Sequence, residues 1–157
     1  MKQEDTKQRI IDKALELFSE RGYDAVSVGE IATAVGIKAP SLYNHFPSKQ
    51  SIFDAIVETT ALKYEKDTDK IDIHVQSASA DVPMMMTIGE NELFEKVRQI
   101  FDYSLHNDNI RRFRKMMTIE QFRSPKFGEL YTKRFSERLV DYHAEIFKSL
   151  IAAGVIR

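Results

Sequence analysis

Lys38, Ser41, Tyr43, Asn44, His45 and Lys49 fall within one short stretch of a 157-residue chain. Their side chains are two ammonium groups, a hydroxyl, a carboxamide, a phenol and an imidazole, all able to donate hydrogen bonds to phosphate oxygens or base edges. Between Glu30 and Asp54 there is no carboxylate, although 30% of the chain is charged. A polyanion repels acids, so a donor-rich surface cleared of them suits a phosphate backbone. The chemistry implied is recognition rather than bond making. His74, His106 and His143 stand far apart in sequence, and no His-x-x-x-His or Glu-x-x-His pair supplies metal-ligand spacing. There is no phosphate-cradling glycine loop and no Gly-x-Ser-x-Gly elbow. No catalytic residue, metal site or cofactor is expected, and a small helical enzyme is the alternative with least support.

The surrounding residues must position those donors, and their punctuation shows how. Ser27 and Glu30 have the spacing of a capping box, with Val26 and Ile31 placed as its hydrophobic staple. Ile31, Ala32 and Val35 share one helical face, and Gly36 follows where a C′ residue turns left-handed. A second short helix begins near Lys38, carries Pro40 in its first turn and stops before Pro47. Leu42 and Phe46 face the core with Ile37, which leaves Lys38, Ala39, Ser41, Tyr43, Asn44 and His45 outside. Helix, glycine turn, helix is the helix-turn-helix plan, whose second helix enters a DNA major groove. Ser48 then caps a further helix containing Ile52, Phe53, Ile56 and Val57, and Lys49 in its first turn offers an anion site. Taken singly, Tyr43 and His45 also suit the plain surface of a three-helix bundle. Together with the cap, the glycine and the two prolines, they favour DNA.

Residues 7 to about 57 resemble the TetR-type (TetR/AcrR-like) bacterial transcriptional regulators. The resemblance rests on Leu-Phe-x-x-x-Gly-Tyr, Ile-Ala-x-x-x-Gly and Leu-Tyr-x-His-Phe-x-x-Lys, within ALELFSERGYDAVSV and EIATAVGIKAPSLYNHFPSKQSIFDAI. It implies that Tyr43, His45 and Lys49 touch phosphates, and that Lys38, Ala39, Ser41 and Asn44 face base edges or the nearby backbone. Ser27 would cap its helix and donate to phosphate. Ala39-Pro40 departs from the Lys-Gly or Gln-Pro pair of many members, which bears on base preference rather than binding mode.

The net charge of −1 and a pI near 6.4 give no bulk basicity, so a positive field has to be local. With no cysteine, disulfides and thiolate metal sites are excluded. The N-terminus lacks the apolar segment of a signal peptide, and no apolar run approaches the roughly 20 residues that span a bilayer. A cytoplasmic protein without membrane contact is expected.

The pattern is all-α. A first helix covers about 5–21, and the helix from Ser48 runs past Tyr64. Residues 76–91, with Pro83, three methionines and Gly89, suggest a loop or broken helix. Leu93, Val97, Ile100, Phe101 and Leu105 form an amphipathic stripe. A helix from about Ile110 carries Phe113, Met116, Met117 and Phe122, and a last one starts at Ser124-Pro125 and ends at Gly154. The expected division is a helix-turn-helix domain over 1–50 and a helical regulatory domain over 51–157.

The Phe, Tyr and Met content after residue 60 suits either an apolar ligand cavity or an ordinary helical core. The resemblance implies an effector pocket, for a small apolar or amphipathic molecule, with candidates Phe101, Phe113, Met116, Met117, Glu120 and Tyr131. Glu120 lies among apolar residues, where burial would need a cation or donor; a solvent-facing position is the simpler expectation. In the resembled family a phrase like Ala-Ala-Gly-Val-Ile-Arg precedes two long dimerisation helices, so the body is expected to lack them and to be incomplete. A ligand-responsive repressor, homodimeric on a palindromic double-stranded operator, is the function implied. A helical protein-interaction module that has lost DNA binding is the alternative, opposed by the acid-free surface.

Overall fold

The computed structural model describes residues 3–157, without the side chains of residues 3, 4, 126, 134 and 135. Among the described residues there is no strand. The helices are α1 (Gln3–Arg21), α2 (Val28–Val35), α3 (Ala39–Tyr43), α4 (Lys49–Asp69), α5 (Ala78–Thr87), α6 (Glu90–His106), α7 (Asp108–Arg123) and α8 (Pro125–Tyr131). A π-helical stretch at Thr132–Glu137 leads from α8 into α9 (Arg138–Ala152).

Two compact units result, Met1–Ala61 with Asp108–Gly128, and Leu62–Asn107 with Glu129–Arg157. The first therefore extends past the boundary expected after residue 50, through the first part of α4, and takes in α7, which packs on α1.

In the first unit, Ile10, Ala14 and Phe18 of α1 are buried at a spacing of four, the stripe a helix must present to a core. Val26, Ile31, Val35, Leu42 and Phe46 are buried from the helix-turn-helix, and Ile52, Phe53, Ile56 and Val57 from α4. Phe113, Met116 and Met117 of α7 and Phe127 of α8 are buried in the same unit.

In the second unit, Ala78 of α5 packs with Ile146 and Leu150 of α9. The segment expected to be a loop or broken helix thus forms α5 with Pro83 inside it. A proline there removes one backbone hydrogen bond. Tertiary packing outweighs that loss: Ala78 joins the apolar cluster, and buried Asp81 is bonded by groups from outside the helix. The expected stripe on α6 forms a helix, yet Val97, Phe101 and Leu105 stay exposed, Leu93 and Ile100 are half-buried, and α6 buries no residue fully. Phe122, expected on the stripe of α7, is 84% exposed.

Candidate nucleic-acid interface

Local chemistry builds the helix-turn-helix. The Ser27 hydroxyl accepts from the Glu30 N–H at 3.2 Å, and the Glu30 carboxylate accepts from the Ser27 N–H at 2.8 Å, closing the capping box. Val26 and Ile31 are both buried, as a staple requires. Gly36 is left-handed at φ 79, ψ 32, and the Ile37 N–H returns to the Ala32 carbonyl at 2.9 Å. That is a Schellman ending, and a side chain at Gly36 would be strained by the positive φ. Lys38 takes the extended N-cap position of α3 and Pro40 lies in its first turn.

Leu42 and Phe46 point into the core and Ile37 is half-buried. Lys38, Pro40, Ser41, Tyr43 and Asn44 are exposed, Tyr43 at 51%, while Ala39 and His45 are half-buried. Of the donors grouped in the sequence, Lys38, Ser41, Tyr43 and Asn44 are therefore exposed on or beside α3, whereas His45 is half-buried after it and Lys49 is half-buried on α4. Tyr43 offers an apolar ring and a phenol to whatever lies against α3.

Ser27 and Lys49 are engaged inside the protein. The exposed Ser27 hydroxyl donates to the Glu30 carboxylate at 2.8 Å, and Glu30 also pairs with Arg21 at 2.7 Å. The Ser27 backbone N–H, the Ser27 hydroxyl and Arg21, in that order, hold the Glu30 carboxyl down to about 2. Lys49 donates to the carbonyls of Tyr23 at 2.9 Å and Val26 at 3.0 Å, and its ammonium lies 4.3 Å from the Tyr23 ring centroid. An ammonium has three N–H donors, and two of them are taken up by these carbonyls. At the start of α4, Ser48 accepts from the Ser51 N–H at 3.1 Å while Ser51 accepts from the Ser48 N–H at 3.1 Å. Two hydroxyls thus close a cap that a glutamate would otherwise complete, which keeps this terminus free of negative charge.

Two residues that sequence reasoning left out of the site stand behind it. Tyr23, at the corner between α1 and α2, stacks near Phe18, Phe53 and Phe127 at centroid distances of 5.2, 5.4 and 5.4 Å. Burial, then the negative charges of Asp24, Asp54 and Glu120, push its phenol up. Glu120 is only 1% exposed, not solvent-facing, and accepts from the Tyr23 N–H at 2.8 Å with Arg123 at 3.8 Å. The donor and cation that its burial demands are both present. Its partner lies 97 residues earlier, so no local spacing could announce the pairing.

The pocket candidates divide between the two units. Phe113, Met116, Met117 and Glu120 are buried in the first unit, whereas Phe101, 62% exposed, and half-buried Tyr131 belong to the second. The second unit has a cleft of about 210 Å³ lined by Gln76, Ala78, Arg138, Asp141, Tyr142 and Glu145 among others. None of the six candidates lines it. Beside it, buried Asp81 accepts from the His74 N–H at 2.8 Å and from Tyr142 Oη at 2.5 Å, and His74 Nδ1 lies 2.6 Å away. Among the described residues, no group of three or more His, Cys, Asp or Glu is placed to hold a metal ion, and no helix is long and apolar enough to cross a membrane.

Residues 10–56 match the model of the family described as bacterial regulatory proteins, tetR family. The negative transcriptional regulator IcaR of the biofilm operon icaADBC in Staphylococcus aureus is 52% identical over 52 residues, which span 33% of this chain and 28% of that protein. Among solved structures, a TetR-family transcriptional regulator from Mesorhizobium loti is 22% identical over 98% of this chain and 72% of its own, with a TM-score of 0.68. GusR of Salmonella enterica is 20% identical over all of this chain and 73% of its own, with a TM-score of 0.66. The full-length similarity is one of fold, and the match to the family model lies in residues 10–56.

Proposed function

We propose that this chain, whose residues 10–56 match the family of bacterial regulatory proteins of the tetR type, is a DNA-binding transcriptional repressor released from its operator by a small-molecule effector. The observation that carries this reading is the exposure of Lys38, Ser41, Tyr43 and Asn44 on and beside α3, within a stretch that has no carboxylate between Glu30 and Asp54. Tyr43, His45 and Lys49 serve as phosphate contacts, and Lys38, Ala39, Pro40, Ser41 and Asn44 lie along the bases or the backbone beside them. Ser27 contributes by fixing α2, with its hydroxyl turned to Glu30. Residues 1–50 form the reading head, and 51–157 the regulatory part.

Repression is supported by the likeness of the head to that of IcaR, a negative regulator. A helix-turn-helix reads a palindrome as a two-fold pair, with half-sites about 34–36 Å apart or a multiple of that, so the working form is a homodimer. The effector is a small apolar or amphipathic molecule, and a differential affinity of about 1–3 kcal/mol between two states suffices for release. A cytoplasmic location follows from an operator as target.

A mobility-shift titration against the DNA flanking the coding region, at two salt concentrations, tests the proposal. Retention should weaken steeply with salt, and Tyr43→Ala or Lys49→Ala should weaken it on all sequences alike. Ser41 or Asn44 substitutions should shift base preference instead. Binding that is insensitive to salt, or unchanged in Lys49→Ala and Tyr43→Ala, would overturn it in favour of an interaction module.

A further inference from the structure

We propose that Glu120 is a positioning residue for DNA reading: from α7 it fixes the corner between α1 and α2 on which the helix-turn-helix is mounted. This rests on the DNA-binding function proposed above and assigns a part of that function to a residue far from the reading face.

The corner is tied at both ends of one residue. The Tyr23 N–H donates to Glu120 Oε1 at 2.8 Å, and the Tyr23 carbonyl accepts from Lys49 at 2.9 Å. Three residues on, the Val26 carbonyl also accepts from Lys49, and Ser27 caps α2. One carboxylate on α7 and one ammonium on α4 therefore clamp the peptide segment from which α2 and α3 hang. Gly22 beside it is left-handed at φ 84, and a Cβ there would meet Arg123 Nη1 at 2.3 Å and Glu120 Oε1 at 3.1 Å. The chain is kept bare where the α7 side chains close in.

A carboxylate this buried is expensive to desolvate, and an apolar residue would fill the space at less cost. The backbone N–H it satisfies would otherwise be orphaned. Along the chain, α7 and the start of α8 as far as Gly128 lie between two segments of the second unit, joined to it at Asn107 and Glu129. A shift of α7 has a direct hydrogen-bonded path to the corner. Without the clamp the corner samples other geometries, and the apparent affinity falls by the fraction that remains competent.

Duplexes enriched by the wild-type protein from a randomised pool provide the probe. Glu120→Gln keeps an oxygen for the Tyr23 N–H and should bind within about threefold of wild type. Glu120→Met keeps length and helix propensity but no acceptor of that strength, and should bind roughly tenfold or more weakly. Its slope of log affinity against log salt should stay unchanged, because no phosphate contact has been removed. Circular dichroism at the binding temperature establishes that each variant is folded. A Met variant that binds like wild type, or one whose salt slope drops, overturns the proposal. If the Met variant does not fold, hydrogen exchange of wild type decides: the Tyr23 amide should be protected in free and DNA-bound protein, and rapid exchange in both overturns it. Enrichment of no duplex by wild type would defeat the DNA-binding reading itself, an outcome distinct from these.

Discussion

The ammonium of Lys49 lies 4.3 Å from the centroid of the Tyr23 ring and donates to the carbonyl of that same residue at 2.9 Å. Lys49 thus braces the helix-turn-helix through the segment that leads into α2, in addition to the phosphate contact proposed for it. Charge-assisted bonds to two carbonyls and a cation over a ring together contribute on the order of 1–3 kcal/mol in a half-buried setting. Lys49→Met should therefore lower the unfolding free energy by that amount, seen in urea titration. It should weaken DNA binding on every sequence, with a salt slope reduced by less than the roughly one unit expected of a lysine devoted to phosphate. An unchanged unfolding midpoint with a full-unit slope loss would return Lys49 to the phosphate role alone.

Glu30 gives the head an acid-sensitive element. Its carboxyl is held at about 2, below its ordinary value of 4.5, by the Ser27 N–H and hydroxyl and by Arg21. A depressed carboxyl stabilises the fold above its unfolded-state value, and that contribution fades as pH falls from about 4.5 to about 2. The gap in melting temperature between wild type and Glu30→Gln should be widest at neutral pH and close through that window. At neutral pH, Ser27→Ala should cost about 1 kcal/mol through the lost cap.

His74 acts with the opposite sign. Its hydrogen bond to Asp81, aided by the charges of Asp81, Asp69 and Asp72 and opposed by partial burial, raises it above 6.5. A raised base stabilises fully below its unfolded-state value, and the benefit is lost as pH rises through the folded one. Above that pH the neutral ring with its proton on Nδ1 keeps the bond to Asp81 but not the charge. Tyr142, whose phenol is raised by burial and then by Asp81, stays neutral and donating throughout. Melting curves from about pH 5 to about pH 9 should show wild type losing stability relative to His74→Gln on the alkaline side. Parallel profiles for the two proteins would exclude the pair as a source of pH dependence.

The features that could be read from sequence are those whose partners sit within one turn or two. Ser27 with Glu30, Val26 with Ile31, and Gly36 behind Val35 are local arrangements, and the structure has each of them in place. Spacing failed where a distant partner decides. Pro83 argued against a continuous helix, but Ile146 and Leu150 cover Ala78 and make α5 worthwhile. Glu120 looked like a surface residue because its donor is on Tyr23, and Lys49 looked free because its acceptors precede it by 26 and 23 residues. The stripe on α6 shows the converse: its periodicity specified a helix and an apolar face, but periodicity carries no information on what covers that face.

Met116, Met117 and Phe101 separate core from surface among the residues first grouped as pocket candidates. Met116 and Met117 are fully buried in the first unit, where each truncation removes packed methylene groups and leaves a void. Met116→Ala and Met117→Ala should each lower the unfolding free energy by about 2–5 kcal/mol. Phe101 is 62% exposed, so Phe101→Ser should fall within about 0.5 kcal/mol of wild type. Urea unfolding at two protein concentrations checks both. If Phe101→Ser costs more than about 1 kcal/mol, and the cost grows with protein concentration, then a second copy covers the α6 stripe in solution, since only an associated state makes stability depend on concentration.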